Sequence, residues 1–247
     1  MSMDFLAYSQ WSKGIHESSF ALSKTEIMQT KQTIAVIGAT GNMGSAISKT
    51  LSKGNYRLLL GANNQEKLET LVKEIKSLNA SAEVEGINCP VDASWEADII
   101  IAAVPFHAEK EVADKIREVA NQKIVISIAN PLNETYNGLV TEPGTSAAEE
   151  LQKLLPNSKV VKAFNTTFAA DFNTPVIDGK KVDAFIAGDD DEAVKTVSEL
   201  VSTAGFNPII AGDLSVSGTL EKMQLLLIRL GMKYNYNWLA GWKILHN

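Results

Sequence analysis

Apolar positions run along this chain in two alternating rhythms. Short, nearly unbroken apolar runs occupy 33–37 (T-I-A-V-I), 57–61 (R-L-L-L-G), 98–104 (D-I-I-I-A-A-V), 123–128, 159–163, 182–187 and 206–211. Each is too short for a helix and most are rich in β-branched residues, so each predicts a buried strand, while 83–87 alternates as a further one. Between them the apolar residues recur every three or four positions: Met43, Ile47, Leu51; Leu68, Leu71, Val72, Ile75, Leu78; Val112, Ile116, Val119; Ala193, Val197, Leu200, Val201. These predict helices with one buried stripe. A short helix is expected at 95–97, and Ser146 to Glu149 has the capping-box pattern of a helix that Pro156 stops. Strand alternating with helix is the pattern of an α/β fold of Rossmann type, a doubly wound, mostly parallel sheet, over residues 32–212.

The two ends differ from this middle. Residues 1–31 are polar with isolated aromatics and predict an N-terminal extension without the continuous apolar core of a secretion signal, the folded domain being expected to begin near Met28. Residues 213–247 are strongly apolar around Leu220 to Leu230 and then aromatic at Tyr234, Tyr236, Trp238 and Trp242. They predict a small helical C-terminal cap, too apolar for a surface helix, packing over the substrate cleft or against a second subunit. A homodimer through this helix follows as an expectation.

The first strand leads into I-G-A-T-G-N-M-G at 37–44, with glycines at 38, 41 and 44. A strand, a glycine loop and a helix in that order make a phosphate-binding device. Gly38 allows the tight turn, Gly41 lets backbone approach a pyrophosphate, Gly44 seats the helix close to its strand, and the helix N-terminus offers free N–H groups. The tip of the second strand is where such domains read the adenosine ribose. Here Ala62-Asn63-Asn64 and Lys67 present no acid. Asn63, Asn64 and Lys67 offer hydrogen bonds to either ribose group, and the missing acid removes repulsion against a phosphate, so NADP is expected, with NAD possible. Asn64 as a helix cap and Lys67 as solvated surface are the competing reading. Ligands in open parallel sheets lie beyond the carboxyl ends of the strands, which turns Ala103, Val104, Pro105 and His107 toward the cofactor and puts Asn130, held extended by Pro131, at the next strand tip.

Composition narrows the function. The 247 residues are 45% hydrophobic and carry a net charge of −6, with no apolar run of transmembrane length. That balance argues against a nucleic-acid partner, which demands a basic patch, and fits a cytoplasmic protein acting on a small molecule. Cys89 is the only cysteine and His16, His107 and His246 lack ligand spacing, so no metal is expected. The run Asp189-Asp190-Asp191 is better explained by helix capping than by a cation. No Tyr-x-x-x-Lys pair is present, which removes the proton donors of short-chain dehydrogenases.

Six landmarks stand in one order: I-G-A-T-G-N-M-G at 37–44, A-V-P at 103–105, N-P-L at 130–132, V-V-K-A-F-N-T at 160–166, A-G-D-D-D-E-A at 187–193 and A-G-D-L at 211–214. Together they resemble the NADPH:deazaflavin (coenzyme F420) oxidoreductases, and equally the cytosolic reductase domain of six-transmembrane metalloreductases. The resemblance implies hydride transfer between NADP(H) and a deazaflavin or flavin ring stacked on the nicotinamide. It implies that Thr40, Gly41, Asn42 and Met43 hold the pyrophosphate and that Ala62, Asn63 and Lys67 surround the 2′-phosphate. Asn165 and Thr166 are then the catalytic candidates, orienting the nicotinamide amide or the acceptor ring over a floor shaped by Val104, Pro105 and Asn130. Two alternatives stay open: a nucleotide-binding sensor without catalysis, and an imine reductase resembling pyrroline-carboxylate reductases.

Overall fold

The computed structural model describes residues 31–246. The expected extension, apart from Lys31, and the expected start at Met28 lie outside the described residues. The strands are β1 (Gln32–Ile37), β2 (Tyr56–Gly61), β3 (Glu83–Ile87), β4 (Ile99–Ala102), β5 (Ile124–Ser127), β6 (Lys159–Lys162), β7 (Val176–Ile177), β8 (Lys180–Lys181), β9 (Asp183–Gly188) and β10 (Asn207–Gly212). The helices are α1 (Asn42–Leu51), α2 (Gln65–Leu78), α3 (Pro90–Glu96), α4 (Phe106–Ile116), α5 (Ala147–Leu154), α6 (Asp191–Thr203) and α7 (Ser217–Tyr234).

Eight strands form one sheet in the order β10-β9-β6-β5-β4-β1-β2-β3. From β3 to β6 this is the 3-2-1-4-5-6 order of a Rossmann domain, every pair within it parallel. The chain reverses once, where β9 joins β6 antiparallel, and β10 then runs parallel to β9. Alternate side chains of the central strands feed separate cores. Ile34, Val36, Leu58, Leu60, Ile99 and Ile101 meet α1, α2 and α6 on one face. Ala35, Ile37, Leu59, Ile100, Val125 and Val160 meet α3, α4 and α5 on the other. With both faces covered, the strands carry no polar alternation, which is why they stand out in the sequence as solid apolar runs.

Two expectations need correction, and one element was not foreseen. The short helix is not 95–97 but Pro90–Glu96: Pro90, free of any donor to lose and with φ preset, starts it at the first turn. A hairpin of β7 and β8 turns on Asp178 and Gly179, both at positive φ, so the Asp-Gly pair was the overlooked signal. Nor is α7 fully enclosed. It buries Leu220, Leu227 and Ile228 together with Glu221 and Gln224, while Leu226, Met232 and Tyr234 are exposed. Leu220 packs with Phe185 and Ala187 of β9, and Trp242 beyond the helix bridges back to Asp183. The helix therefore lies on the β9 end of the sheet, and its Leu227 and Ile228 pack with Phe168 and Leu132.

Candidate active site

The turn after β1 is shaped by its glycines in three different ways. Gly38 has φ of +89°, and an added Cβ would lie 2.3 Å from the Ala103 carbonyl oxygen. At Gly44 an added Cβ would lie 2.3 Å from the Gly38 carbonyl oxygen, so α1 rests directly on the turn. Gly41 differs from both. Its φ of −72° suits any residue, and a Cβ there would meet nothing closer than 3.4 Å. The protein itself thus gives no reason for glycine at 41, and a group approaching from outside the chain does: the space over Gly41 is where a pyrophosphate would rest against the α1 N-terminus.

Two cavities flank Gly41. One, about 350 Å³, is lined by Gly38, Thr40, Gly41, Ala62, Asn63, Asn64, Lys67 and Ala103 to Pro105, together with Asn88, Pro90, Glu111 and Lys115 from the β3 and α4 side. The other, about 420 Å³, is lined by Gly41, Asn42, Met43, Ala103 to His107, Ile128 to Asn130, Leu132 and Val140. The sheet order puts the first at the tips of β1 and β2 and the second at the tips of β4 and β5, the sides on which a Rossmann domain takes adenosine and nicotinamide.

Around these cavities the structure sorts the residues expected from sequence. Asn64 accepts a hydrogen bond from the Lys67 backbone N–H at 2.9 Å as the N-cap of α2, so its carbonyl is spent on the helix. Asn63 and the Lys67 side chain are exposed on the wall of the first cavity, without side-chain partners among the described residues. His107 is exposed in the first turn of α4 at the rim of the second cavity. Asp190 caps α6 through Ala193, and Asp189 accepts from Leu214 N–H, which accounts for two of the three adjacent aspartates by hydrogen bonding alone.

Asn165 and Thr166 part company. Asn165 and Asn130 join by two hydrogen bonds: Asn130 Nδ2 donates to the Asn165 carbonyl at 2.9 Å, and Asn165 Nδ2 donates to Asn130 Oδ1 at 3.1 Å. Asn165 Oδ1 is buried without a partner. A buried acceptor left unpaired costs roughly 1–3 kcal/mol. Phe164, fully buried, holds φ of +60°, a conformation that bulky residues avoid, and it is this turn that aims Asn165 back at Asn130. Thr166 faces the sheet: it is fully buried, its hydroxyl oxygen accepts from Phe185 N–H at 3.3 Å, and like Asn165, which is 1% exposed, it lines neither cavity.

Sequence reasoning missed a group of buried charges below this floor. Lys162 and Glu221 form an ion pair with both side chains at 0% exposure. Glu109, on the inner face of α4, accepts from Ser127 Oγ at 3.2 Å. The charges fall on the apolar stripes of their elements, and the only sequence signal was their presence there. Burial pushes the Glu109 carboxyl up to about 7, against the pull of Lys162 and the Ser127 hydroxyl and with added repulsion from Glu221 and Glu150. A folded carboxyl that holds its proton to higher pH than the unfolded chain loses stability as pH rises from about 4.5 to about 7. The shift corresponds to about 3 kcal/mol across that window. Asp171, also pushed to about 7 by burial, acts in the same direction. Glu109→Gln should therefore flatten, without abolishing, the fall in melting temperature between pH 5 and pH 8, measured by calorimetry against the parent protein. An unchanged slope would place the Glu109 titration elsewhere.

Comparison with known proteins agrees with this geometry. Residues 33–131 match the family model described as NADP oxidoreductase, coenzyme F420-dependent. The chain is 32% identical over 213 residues to the F420-dependent NADP reductase of Methanocaldococcus jannaschii, covering 81% of this chain and 93% of that protein. It is 24% identical to the metalloreductase STEAP3 of Rattus norvegicus over 83% of this chain, but spans only 39% of that longer protein. Among solved structures, a candidate F420-dependent NADP reductase from Arthrobacter sp. FB24 superposes with a TM-score of 0.76 at 22% identity, covering 87% of this chain and all of that one, a likeness of fold. No helix among the described residues is long and apolar enough to cross a membrane. The glycine loop, the crevice on both sides of it and a full-length relative at this identity lead to one conclusion: this chain belongs to the family of F420-dependent NADP oxidoreductases.

Proposed function

We propose that this protein transfers a hydride between NADP(H), bound across Gly41, and the deazaflavin coenzyme F420, received in the cavity at the tips of β4 and β5. The observation that carries the reading is Gly41, a glycine whose backbone and surroundings would accept a side chain and whose only evident use is the approach of a bound pyrophosphate.

The nicotinamide and the deazaflavin supply the redox chemistry, an electron pair and its proton passing as hydride from a ring carbon of one to a ring carbon of the other. What the chain contributes is binding, placement and exclusion of water. The N–H groups opening α1 hold the pyrophosphate, aided by the helix dipole. Asn63 and the Lys67 ammonium, exposed on the adenosine wall, meet the 2′-phosphate. Met43, Val104, Ile128, Leu132 and Val140 give the second cavity apolar walls, which keep water from the transfer and hold the rings in contact. Asn130, on the wall of the second cavity, meets one ring, while the buried Asn165 holds Asn130 in place. No general acid is required at the reacting carbons, in keeping with an exposed His107 at the rim.

The test is direct. Purified protein mixed with NADPH and oxidised F420 should bleach F420 absorbance in step with loss of NADPH, and FMN, FAD, ferric chelates and a cyclic imine should be poorer acceptors. Tight NADPH binding with no turnover on any of these would replace an enzyme by a nucleotide sensor, and preferred reduction of the imine would redirect the reading to imine reduction.

A further inference from the structure

Lys162 closes β6 directly beneath the floor of the second cavity. Its Nζ donates to the Ala129 carbonyl oxygen at 2.5 Å and to Glu221 Oε1 at 2.6 Å. Glu221 reaches in from α7 and accepts in turn from Ala147 N–H at the start of α5, at 3.0 and 3.3 Å. One ammonium thus ties the chain leaving β5 to α5 and α7. Such a pair is a poor source of stability, since an apolar pair of similar volume is often as stable or more so. Its value is better sought in what it holds.

What it holds is the Ala129 carbonyl. Residues 128–130 have left the sheet after Ser127, and Lys162 Nζ is the partner of this oxygen among the described residues. Ala129 lines the second cavity, and the next residue, Asn130, holds Asn165 by the two hydrogen bonds described above. The height of the floor and the aim of the Asn130–Asn165 pair are therefore set from below by a charge that touches no ligand.

We propose that Lys162 is a positioning residue for the hydride acceptor: braced by Glu221 of α7, it fixes the Ala129 carbonyl and with it the floor on which the acceptor ring lies. The inference rests on the function proposed above, and it couples α7, which lines neither cavity, to acceptor binding. Among the described residues, Glu221 of α7 pairs with Lys162, and Glu109 of α4 feels its charge.

Removing Lys162 alone would leave Glu221 buried and unpaired, so the deciding variant is Lys162→Met with Glu221→Gln, which removes both charges and keeps an acceptor for Ala147 N–H. Five quantities are compared with the parent protein: melting temperature, NADPH dissociation constant, amide hydrogen exchange at 128–130, and the dissociation constant and KM for F420. The expected result is a folded variant with NADPH affinity within about twofold, faster exchange at 128–130, and F420 binding and KM worse by roughly tenfold to a hundredfold, the cost of a misplaced ring. A folded variant with unchanged exchange and unchanged F420 constants would overturn the proposal and leave the pair a purely structural one. A parent protein that binds NADPH but neither binds nor reduces F420 would instead refute the proposed function. The exchange at 128–130 would then decide by itself whether Lys162 holds the floor.

Discussion

Gly41→Asp should yield a folded protein that has lost NADPH. The fold is safe for three reasons: φ at 41 is −72°, a Cβ there meets no atom within 3.4 Å, and residue 41 is the N-cap of α1, a place where aspartate is among the preferred residues. Since Gly41 makes no side-chain cap of its own, the variant should be as stable as the parent or better by a few tenths of a kcal/mol. Binding fails for the same geometric reason. A carboxylate about 4 Å from a pyrophosphate opposes it by about 4 kcal/mol at an intermediate dielectric, close to a thousandfold in affinity. Fluorescence titration with NADPH beside a melting curve makes the measurement. Unchanged affinity would mean that the phosphates bind elsewhere, and the reading of the site would fall with it.

Glu221→Leu should produce the largest loss of stability of any change outside the central strands. The substitution strips the fully buried Lys162 of its counter-charge and the Ala147 N–H of its acceptor in one step. Breaking one side of such a pair costs about 3–5 kcal/mol. In a body of this size that lowers the melting temperature by roughly 10 °C. Combining it with Lys162→Met should restore part of the loss, the share owed to the stranded charge, since the Ala147 N–H and the Ala129 carbonyl still lack partners. Equal destabilisation by the single and double variants would show that the site depends on packing around Glu221 rather than on charge.

Much of the molecule was legible in one dimension because of where its strands lie. The runs at 33–37, 98–104 and 123–128 became β1, β4 and β5 with shifts of a residue or two at their ends, since strands covered on both faces leave no polar position to blur the pattern. Gly38, Gly41 and Gly44 were legible by spacing, and the tight turn at Gly38 and the close seat of α1 at Gly44 agree with their surroundings. Asn64 was readable in either of two ways, and the helix cap took its carbonyl. Asn165 and Thr166, expected together beside the reacting rings, are both buried and line neither cavity, one bonded to Asn130 and the other to β9.

The amino-acid order alone determined the alternation of strand and helix, the glycine loop and the kinship with a family of nicotinamide enzymes, because these depend on neighbours within a few residues of one another. The tertiary structure decided the antiparallel turn to β9, the place of α7, the pairing of Asn130 with Asn165 across 35 positions, and the meeting of Lys162, Ala129 and Glu221. No local pattern announces such contacts. They arise only when the sheet brings distant strand ends to one edge, where an isolated buried charge would be too costly to keep unless its partner arrived from another part of the chain.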